Sequence, residues 1–196
     1  MRAHYNIFYW SMIIILFSLS FFFTYRIISF KLSLTLASGS LSVKSGTEVE
    51  FVKAIDGDEI AVKTENQNFI VRILGIKSFD PTVNDPYVAG IAQQGFSFLI
   101  KQFAGKKLTV RFIEFKLDDR NRVLSYIECG GKDIGLEMIK NGMALVYIRY
   151  PFERMAFYLV EEKKARVAKK GLWGNKVTTE RAKKLKILWE QERSDV

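Results

Sequence analysis

The N-terminal end of the chain is a long apolar run without the polar face that a soluble helix needs. Residues 3–25 are 23 positions without Asp, Glu, Lys or Arg, and residues 7–23 are mostly Ile, Leu, Phe, Met, Tyr and Trp. A helix of that length would extend about 34 Å, and the hydrocarbon core of a bilayer is about 30 Å thick. The pattern predicts one transmembrane helix within residues 1–30, with membrane lipid as its partner.

A cleaved signal peptide is the alternative interpretation of this run. Its apolar region would be about 7–15 residues long, and small residues would follow it closely. Here the run is longer, Arg26 and Lys31 follow it, and the small residues 37–40 lie well downstream. The pattern therefore favours an uncleaved anchor, followed by a tether at residues 31–47 that is rich in Ser, Leu and Gly.

Beyond the tether, apolar residues occur in short stretches that polar turns separate, which is typical of β-strands. Loose alternation of apolar and polar residues, or short apolar-rich runs, mark five strands. They are predicted at residues 48–55, 59–64, 69–76, 107–115 and 123–127.

Helical spacing of apolar residues lies between and after these strands. It predicts helices at residues 91–103, 134–140 and 153–170. Five short strands with helices inserted late indicate an α+β, mainly β domain, an OB-type five-stranded barrel with about three helices. We place this domain at residues 48–175 and assign residues 176–196 to a basic C-terminal helix.

Composition narrows the chemistry that this domain can perform. The 196 residues include 30 Lys and Arg, 21 Asp and Glu, one His and one Cys, for a formal charge of +9. A lone Cys129 excludes internal disulfides and multi-thiolate zinc sites. Residues 151–196 carry 12 basic and seven acidic residues. Such a flank either attracts phosphate polymers or anionic lipid, or is simply a solvated helix face.

The remaining candidates for chemistry are carboxylates and arginines at the ends of predicted strands. Asp56, Gly57 and Asp58 join two strands, and alone this triplet is typical of a tight turn. Arg72 lies within an apolar strand and Arg122 begins another. Because side chains alternate across a strand, each arginine alone is equally consistent with a solvated surface position.

Five stretches, taken in order, are more specific than these single residues. They are VKAIDGD at 52–58, VRILGI at 71–76, NRVLSYI at 121–127, NGMA at 141–144 and KKGLWG at 169–174. Together, over residues 50–174, they resemble the motifs of the staphylococcal nuclease (thermonuclease-like) family. The resemblance implies an OB-type barrel with three helices that cleaves phosphodiester bonds of DNA or RNA, usually with Ca²⁺.

The resemblance also implies roles for individual residues. Asp58 matches a carboxylate that ligates calcium, Arg72 an arginine that binds the scissile phosphate, and Arg122 an arginine that stabilises the pentacoordinate transition state. Two guanidinium groups would neutralise the charge that builds on phosphoryl oxygens. Tyr147 and Tyr150 lie near the family's substrate-facing tyrosines, where rings stack on bases, although packing at the barrel rim explains them equally well.

The loop after the Arg72 strand departs from the family pattern. Where the family usually has D-[TA]-P-E, this chain has KSFD at residues 77–80. Lys77 replaces a calcium carboxylate and offers the ion no oxygen ligand, whereas Ser78 keeps a backbone carbonyl that the resemblance implies as a metal ligand. Asp80 stands where the family has its general base, a glutamate, and is shorter by roughly 1.5 Å. Calcium is thus an expected cofactor only if a site without this carboxylate still binds it.

Lys77 has two interpretations that lead to different functions. It is either a fixed positive charge that binds substrate beside the phosphate, or the mark of a site that has lost catalysis. The leading hypothesis is a membrane-anchored nuclease with Arg72, Asp80 and Arg122 as catalytic residues and an extracytoplasmic domain. The alternative is an inactive nuclease-fold module that binds nucleic acid or a protein partner at the membrane.

Overall fold

The structure is a computed structural model that describes residues 10, 12–26 and 43–194. The chain divides into two units, residues 1–41 and 42–196. In the first unit, residues 12–26 are helical and most of their apolar side chains are exposed.

None of the helices in the described ranges is both long enough and apolar enough to cross a membrane. The predicted anchor at 1–30 includes residues outside the described part of the chain, namely 1–9, 11 and 27–30. Most of the predicted tether at 31–47 also lies outside it. The anchor and the tether therefore stay predictions.

The second unit is a closed β-barrel, as the strand pattern predicts. The main sheet has the order β3-β2-β1-β5-β6-β7, and a parallel pairing of β3 with β6 closes it. A separate antiparallel pair joins β4 to β8. The strands are β1 (Glu48–Asp56), β2 (Glu59–Lys63), β3 (Asn68–Ile73), β4 (Ile76–Lys77), β5 (Lys107–Arg111), β6 (Val123–Cys129), β7 (Lys132–Asp133) and β8 (Leu145–Val146).

The five main strands match the predicted ones, but the predicted strand 69–76 is interrupted by a turn after Ile73, and β5 is shorter than the predicted 107–115. It ends at Arg111 because the next backbone N–H, of Phe112, donates to Ser45 Oγ (3.0 Å) instead of pairing with β6. The pairs formed by β4, β7 and β8 are too short to give an alternating pattern in the sequence.

Four helices accompany the barrel: α1 (Pro86–Phe103), α2 (Ile134–Lys140), α3 (Met155–Val167) and α4 (Lys176–Ser194). A 3₁₀ turn at Gly171–Gly174 precedes α4. The first helix starts five residues before the predicted 91. Its N-cap is Asp85, whose carboxylate accepts hydrogen bonds from the backbone N–H groups of Tyr87 and Val88, and Pro86 suits the first helical position.

The core lies inside the barrel and under the helices. Ile60, Leu108 and Ile127 are fully buried in three different strands. On α1, Leu99 and Phe103 are also fully buried, and the Phe103 ring packs against Phe51 of β1 with centroids 5.3 Å apart. Burial of this kind stabilises by about 25 cal/mol per Å² of apolar surface, which makes it the main favourable term in folding.

The C-terminal helix α4 packs against the rest of the second unit and does not project into solvent. Ala182 and Trp189 are buried on its inner face. Lys186 pairs with Glu162 of α3, and the Glu162 carboxylate also accepts a hydrogen bond from the backbone N–H of Val146 at 2.9 Å. One buried carboxylate therefore ties together α3, α4 and β8.

A glycine at the end of α2 permits a close approach between two segments. Gly142 follows the C-cap with φ +64°, the left-handed conformation that the Asn141-Gly142 pair predicts. A Cβ at this position would lie 2.2 Å from the carbonyl oxygen of Lys170. The backbone of the segment before the 3₁₀ turn thus fits against α2 only because residue 142 has no side chain.

We expect Gly142→Ala to lower the free energy of unfolding by about 3 kcal/mol or more, since it adds a backbone clash to left-handed strain. Gly130→Ala is the matched control. Gly130 also has positive φ, +57°, but nothing lies within 4 Å of an added Cβ, so only the strain of about 1–2 kcal/mol applies. Urea unfolding of both variants measures the difference, and equal losses would contradict the proposed contact.

Candidate active site

Three neighbouring strands bring the candidate residues to one edge of the barrel. Glu59 of β2 lies opposite Arg72 of β3, and Arg72 in turn lies opposite Leu124 of β6. Asp58 directly precedes Glu59, and Arg122 is two residues before Leu124. Residues that are distant in sequence are therefore neighbours across β2, β3 and β6.

The carboxylate of Asp58 is the centre of this edge and is fully buried. Its Oδ2 atom lies 2.8 Å from Arg72 Nη1 and 3.3 Å from Lys77 Nζ, and it accepts a hydrogen bond from the backbone N–H of Ser78 at 3.0 Å. The Oδ1 atom is buried without a hydrogen-bond partner in the part of the chain that the structure describes. Burial of a charged carboxylate is costly unless it is paired and hydrogen-bonded, as the Oδ2 atom is here.

Arg72 is held rigidly, and its side chain is not solvated as it would be at a surface position. Only 8% of the residue is exposed. Besides the Asp58 carboxylate, Nη1 donates to the Asp58 carbonyl oxygen at 3.2 Å, and Nη2 donates to the Ile76 carbonyl oxygen at 2.9 Å. These contacts join the β1–β2 turn to the β3–β4 turn and fix the guanidinium plane.

The Asp56-Gly57-Asp58 turn packs directly against the loop that follows β4. A Cβ on Gly57 would lie 2.7 Å from the Cβ of Ser78, so only glycine fits without a shift. Asp56 Oδ1 accepts hydrogen bonds from the Gly57 N–H at 2.6 Å and from Ser78 Oγ at 3.4 Å. The turn therefore also sets the position of Lys77, whose side chain is 38% exposed.

Arg122 is clamped between two carboxylates. Its Nη1 contacts Glu59 Oε1, and its Nε donates to Asp118 Oδ2 at 2.7 Å. Its side chain is only 12% exposed. Burial alone would lower the pKa of Arg122, but the hydrogen bond with Asp118 and the charge of Glu59 outweigh it and raise that pKa. The guanidinium is thus fully charged and already paired.

Asp80 lies apart from the buried cluster, on the exposed loop before α1. Its Oδ1 atom accepts hydrogen bonds from the backbone N–H of Thr82 at 2.8 Å and from Thr82 Oγ1 at 2.6 Å. These bonds, with smaller contributions from the charges of Lys77 and Arg181, lower the pKa of Asp80. A lowered pKa makes the carboxylate a weaker base.

The two candidate tyrosines differ in how much of their surface is exposed to solvent. The Tyr147 ring packs edge-on against Trp189 of α4, with centroids 4.9 Å apart, and against Tyr150 at 6.1 Å. Tyr150 is 51% exposed, and the guanidinium of Arg149 lies 5.3 Å from its ring. Of the two rings, Tyr150 has the more open surface for stacking with a base.

The structure thus brings four of the predicted residues together and shows two more that sequence reasoning missed. Asp58, Arg72, Lys77 and Ser78 form one contact network, and Arg122 stands beside it. Glu59 and Asp118, which hold Arg122, were not among the candidates. Asp118 stands in the polar turn directly before Arg122, a signal available in the sequence. Nothing local in the sequence connects Glu59 to Arg122.

The groups around Asp58 do not suit the calcium ion that the family resemblance implies. Calcium takes about six to eight oxygen ligands. Here Asp58 Oδ2 already contacts three donors, and one of them is the positive ammonium of Lys77. Of the two Asp58 carboxylate oxygens, Oδ1 is the one without a hydrogen-bond partner among the residues that the structure describes. Within residues 10, 12–26 and 43–194, no group of three or more His, Cys, Asp or Glu side chains is placed to hold a metal ion.

Comparisons with known proteins agree with the architecture. The curated relatives include "Probable endonuclease LCL3" of Komagataella phaffii, 31% identical over 124 residues that cover 57% of this chain and 52% of that protein. The chain therefore spans about half the length of this relative. Another is "Thermonuclease" of Staphylococcus hyicus, 21% identical over 139 residues that cover 70% of this chain and 82% of that protein.

The match to a family model covers the part of the chain in which most of the site lies. The model described as "Staphylococcal nuclease homologue" matches residues 70–175, more than half of the chain. These residues include Arg72, Lys77 and Arg122, together with most of β3 and all of β6, the two strands that close the barrel. The chain belongs to the staphylococcal nuclease homologue family.

Proposed function

We propose that this chain hydrolyses phosphodiester bonds of DNA or RNA. The observation that carries the proposal is the placement of two ion-paired arginines, Arg72 on β3 and Arg122 directly before β6, at one edge of the barrel. Arg72 and Arg122 each present a planar guanidinium, the group best suited to two parallel hydrogen bonds with a phosphate. Membership of a nuclease-like family and similarity to an endonuclease and a thermonuclease support the same reaction.

In the proposed reaction a water oxygen forms a bond to phosphorus while the bond from phosphorus to a sugar oxygen breaks. The leaving oxygen takes up a proton and the water loses one. Arg72 and Arg122 bind the phosphoryl oxygens, on which negative charge grows in the transition state. Asp80, in its exposed loop, is the carboxylate proposed to accept the proton of the water.

We infer that this site works without a divalent cation because the charges of its ion-paired side chains balance. Arg72, Lys77 and Arg122 supply three positive charges, and Asp58, Glu59 and Asp118 supply three negative ones. A carboxylate in place of Lys77 would leave four negative charges against two positive ones. The difference of two charges is what one divalent ion would neutralise. The Lys77 ammonium beside Asp58 therefore supports the interpretation as a fixed positive charge.

A second function, binding of nucleic acid without cleavage, is favoured by the state of Asp80. Its carboxylate is occupied by Thr82 and its pKa is lowered. A misplacement of about 1 Å can cost on the order of 10²-fold in rate, and the aspartate side chain is shorter than the glutamate of the family by roughly 1.5 Å. In this function the arginines and Lys77 hold phosphates, and affinity falls as salt is added.

We also propose that residues 1–30 anchor the protein in a membrane and that the barrel lies on the extracytoplasmic side. The uncharged run at residues 3–25 supports the anchor. We expect the full-length chain to stay in the membrane pellet after alkaline carbonate washing, and external protease to digest the barrel in intact cells. Release into the supernatant would contradict the anchor, and protection from protease would contradict the proposed side.

For the reaction itself, we expect the full-length chain to cleave single-stranded DNA or RNA and to keep cleaving when a chelator is present. Arg122→Lys should lower the rate by on the order of 10²-fold or more, since it keeps the charge but loses the planar fork. Arg111→Lys, at an exposed arginine that pairs with Glu128, is the control. Salt-sensitive binding without cleavage would favour the second function, and complete loss of activity in chelator would contradict the metal-free site.

The charge argument predicts that Lys77→Asp creates a cation site. In this variant calcium should raise the unfolding temperature, and terbium should bind with sensitised luminescence, whereas the wild-type protein should show neither effect. Lys63→Asp makes the same change of charge at an exposed lysine that pairs with Glu50, and is the control. An equal calcium response in wild type and Lys77→Asp would contradict the proposal.

A further inference from the structure

Two consecutive carboxylates each hold one of the two arginines. Asp58 pairs with Arg72, and Glu59 pairs with Arg122. The two carboxylates differ in how deeply they are buried, whereas the side chains of Arg72 and Arg122 are about equally exposed, at 10% and 12%. The Asp58 side chain is 0% exposed, whereas the side chains of Glu59 and Arg122 are 14% and 12% exposed. Of the two carboxylates, only that of Glu59 is within reach of solvent and of a dissolved ligand.

The guanidinium of Arg122 has no edge clear of a carboxylate on which a phosphate could form two parallel hydrogen bonds. Its Nε and Nη2 atoms contact Asp118 Oδ2, and its Nη1 atom contacts Glu59 Oε1. A phosphate bound by two parallel hydrogen bonds needs two neighbouring N–H groups on one edge of the guanidinium. Each of the two such edges, Nε with Nη2 and Nη1 with Nη2, includes a nitrogen that a carboxylate already contacts. A phosphate bound in that way would therefore lie against Asp118 or Glu59 unless that carboxylate moves away.

Asp118 is held in place by the backbone, so it is not the group that leaves. Its Oδ1 atom accepts hydrogen bonds from the backbone N–H groups of Arg120 and Arg122, both at 3.0 Å. Burial would raise the pKa of Asp118, but the hydrogen bonds from Arg122 and from the backbone outweigh it and lower that pKa. Asp118 is thus a fixed, charged part of the turn before β6.

Glu59 has no comparable attachment. Among the described residues, the Arg122 guanidinium is the only hydrogen-bond or ion-pair partner of its carboxylate. Its side chain rotates about three bonds, and the carboxylate gains hydration when it moves into solvent. If a phosphate takes its place, one anion replaces another, and Arg122 keeps Asp118 as its fixed negative partner throughout.

We propose that Glu59 is a displaceable counter-ion that occupies the phosphate position of Arg122 and sets the affinity of the site for phosphodiesters. Glu59 is a positioning residue, since it acts on substrate through Arg122. The inference rests on the proposed function only in taking a nucleic-acid phosphate as the ligand. It makes no demand that the bound phosphodiester be cleaved.

The test is Glu59→Gln in the full-length protein, because glutamine keeps the shape and removes the charge. The probe is a short fluorescein-labelled oligothymidylate, whose binding is followed by anisotropy at fixed ionic strength. We expect Kd to fall by about tenfold. Glu114→Gln is the matched control, since it changes the net charge equally at an exposed glutamate that pairs with Lys116.

Two further variants separate competition from a merely structural role. Glu59→Asp keeps the charge on a shorter side chain, and we expect it to tighten binding by less than Glu59→Gln does. In an Arg122→Lys background, Glu59→Gln should give no more than the small gain of Glu114→Gln. Thermal unfolding of each variant checks that the barrel is intact.

Each outcome supports or overturns the role of Glu59. Unchanged or weaker binding by a folded Glu59→Gln variant overturns it, as does a gain no larger than that of Glu114→Gln. If the wild type does not bind and Glu59→Gln does, the role is supported, whereas absence of binding by both counts against it. Tighter binding without any hydrolysis would contradict the nuclease function alone, and hydrolysis with no effect of Glu59→Gln would contradict the counter-ion alone.

Discussion

The buried ion pair between Asp58 and Arg72 is the interaction on which the rest of the site depends. A fully buried carboxylate that lost its partner would destabilise the fold by about 3–5 kcal/mol, so the turns around it must keep both groups in place. Arg72 meets this demand by also donating to the carbonyl oxygens of Asp58 and Ile76. The same bonds fix the loop that carries Lys77, and the stability of the barrel and the geometry of the site are therefore inseparable here.

The closure of the barrel adds the second arginine. Without the parallel pairing of β3 with β6, Arg122 would have no fixed relation to Arg72. The pairing also places the polar turn at residues 118–121 beside the start of β2. Glu59, the first residue of β2, therefore forms an ion pair with Arg122. Two arginines on one edge would repel each other, and the intervening carboxylates make the arrangement tolerable. As a consequence, both guanidinium groups are already ion-paired with carboxylates in the absence of a ligand.

The sequence predicted the parts of this fold that have local causes. The five main strands followed from short apolar runs, and the end of α2 followed from Asn141 and Gly142, because only a residue without Cβ fits there. The start of α1 was missed although Asp85 and Pro86 are standard signals. The contact of Glu59 with Arg122 was beyond local reasoning, since it spans 63 residues and depends on strand register. The edge-on contact between the rings of Trp189 and Tyr147 could not be predicted either, because it also joins residues that are distant in the sequence.

The roles proposed for Lys77 and Glu59 depend on the same balance of charges at the site. A site that relied on a bound divalent ion would acquire positive charge from solution, whereas here the proposed source of positive charge is a covalently attached ammonium. Fixed charges must be balanced in the resting protein, and with Lys77 present the balance is reached only if Glu59 is counted among the three carboxylates. An incoming phosphodiester brings one negative charge and would upset that balance unless a carboxylate leaves. Glu59 is the only one of the three that neither the backbone nor deep burial holds in place, so the substitution at residue 77 and the mobility required of residue 59 follow from the same constraint.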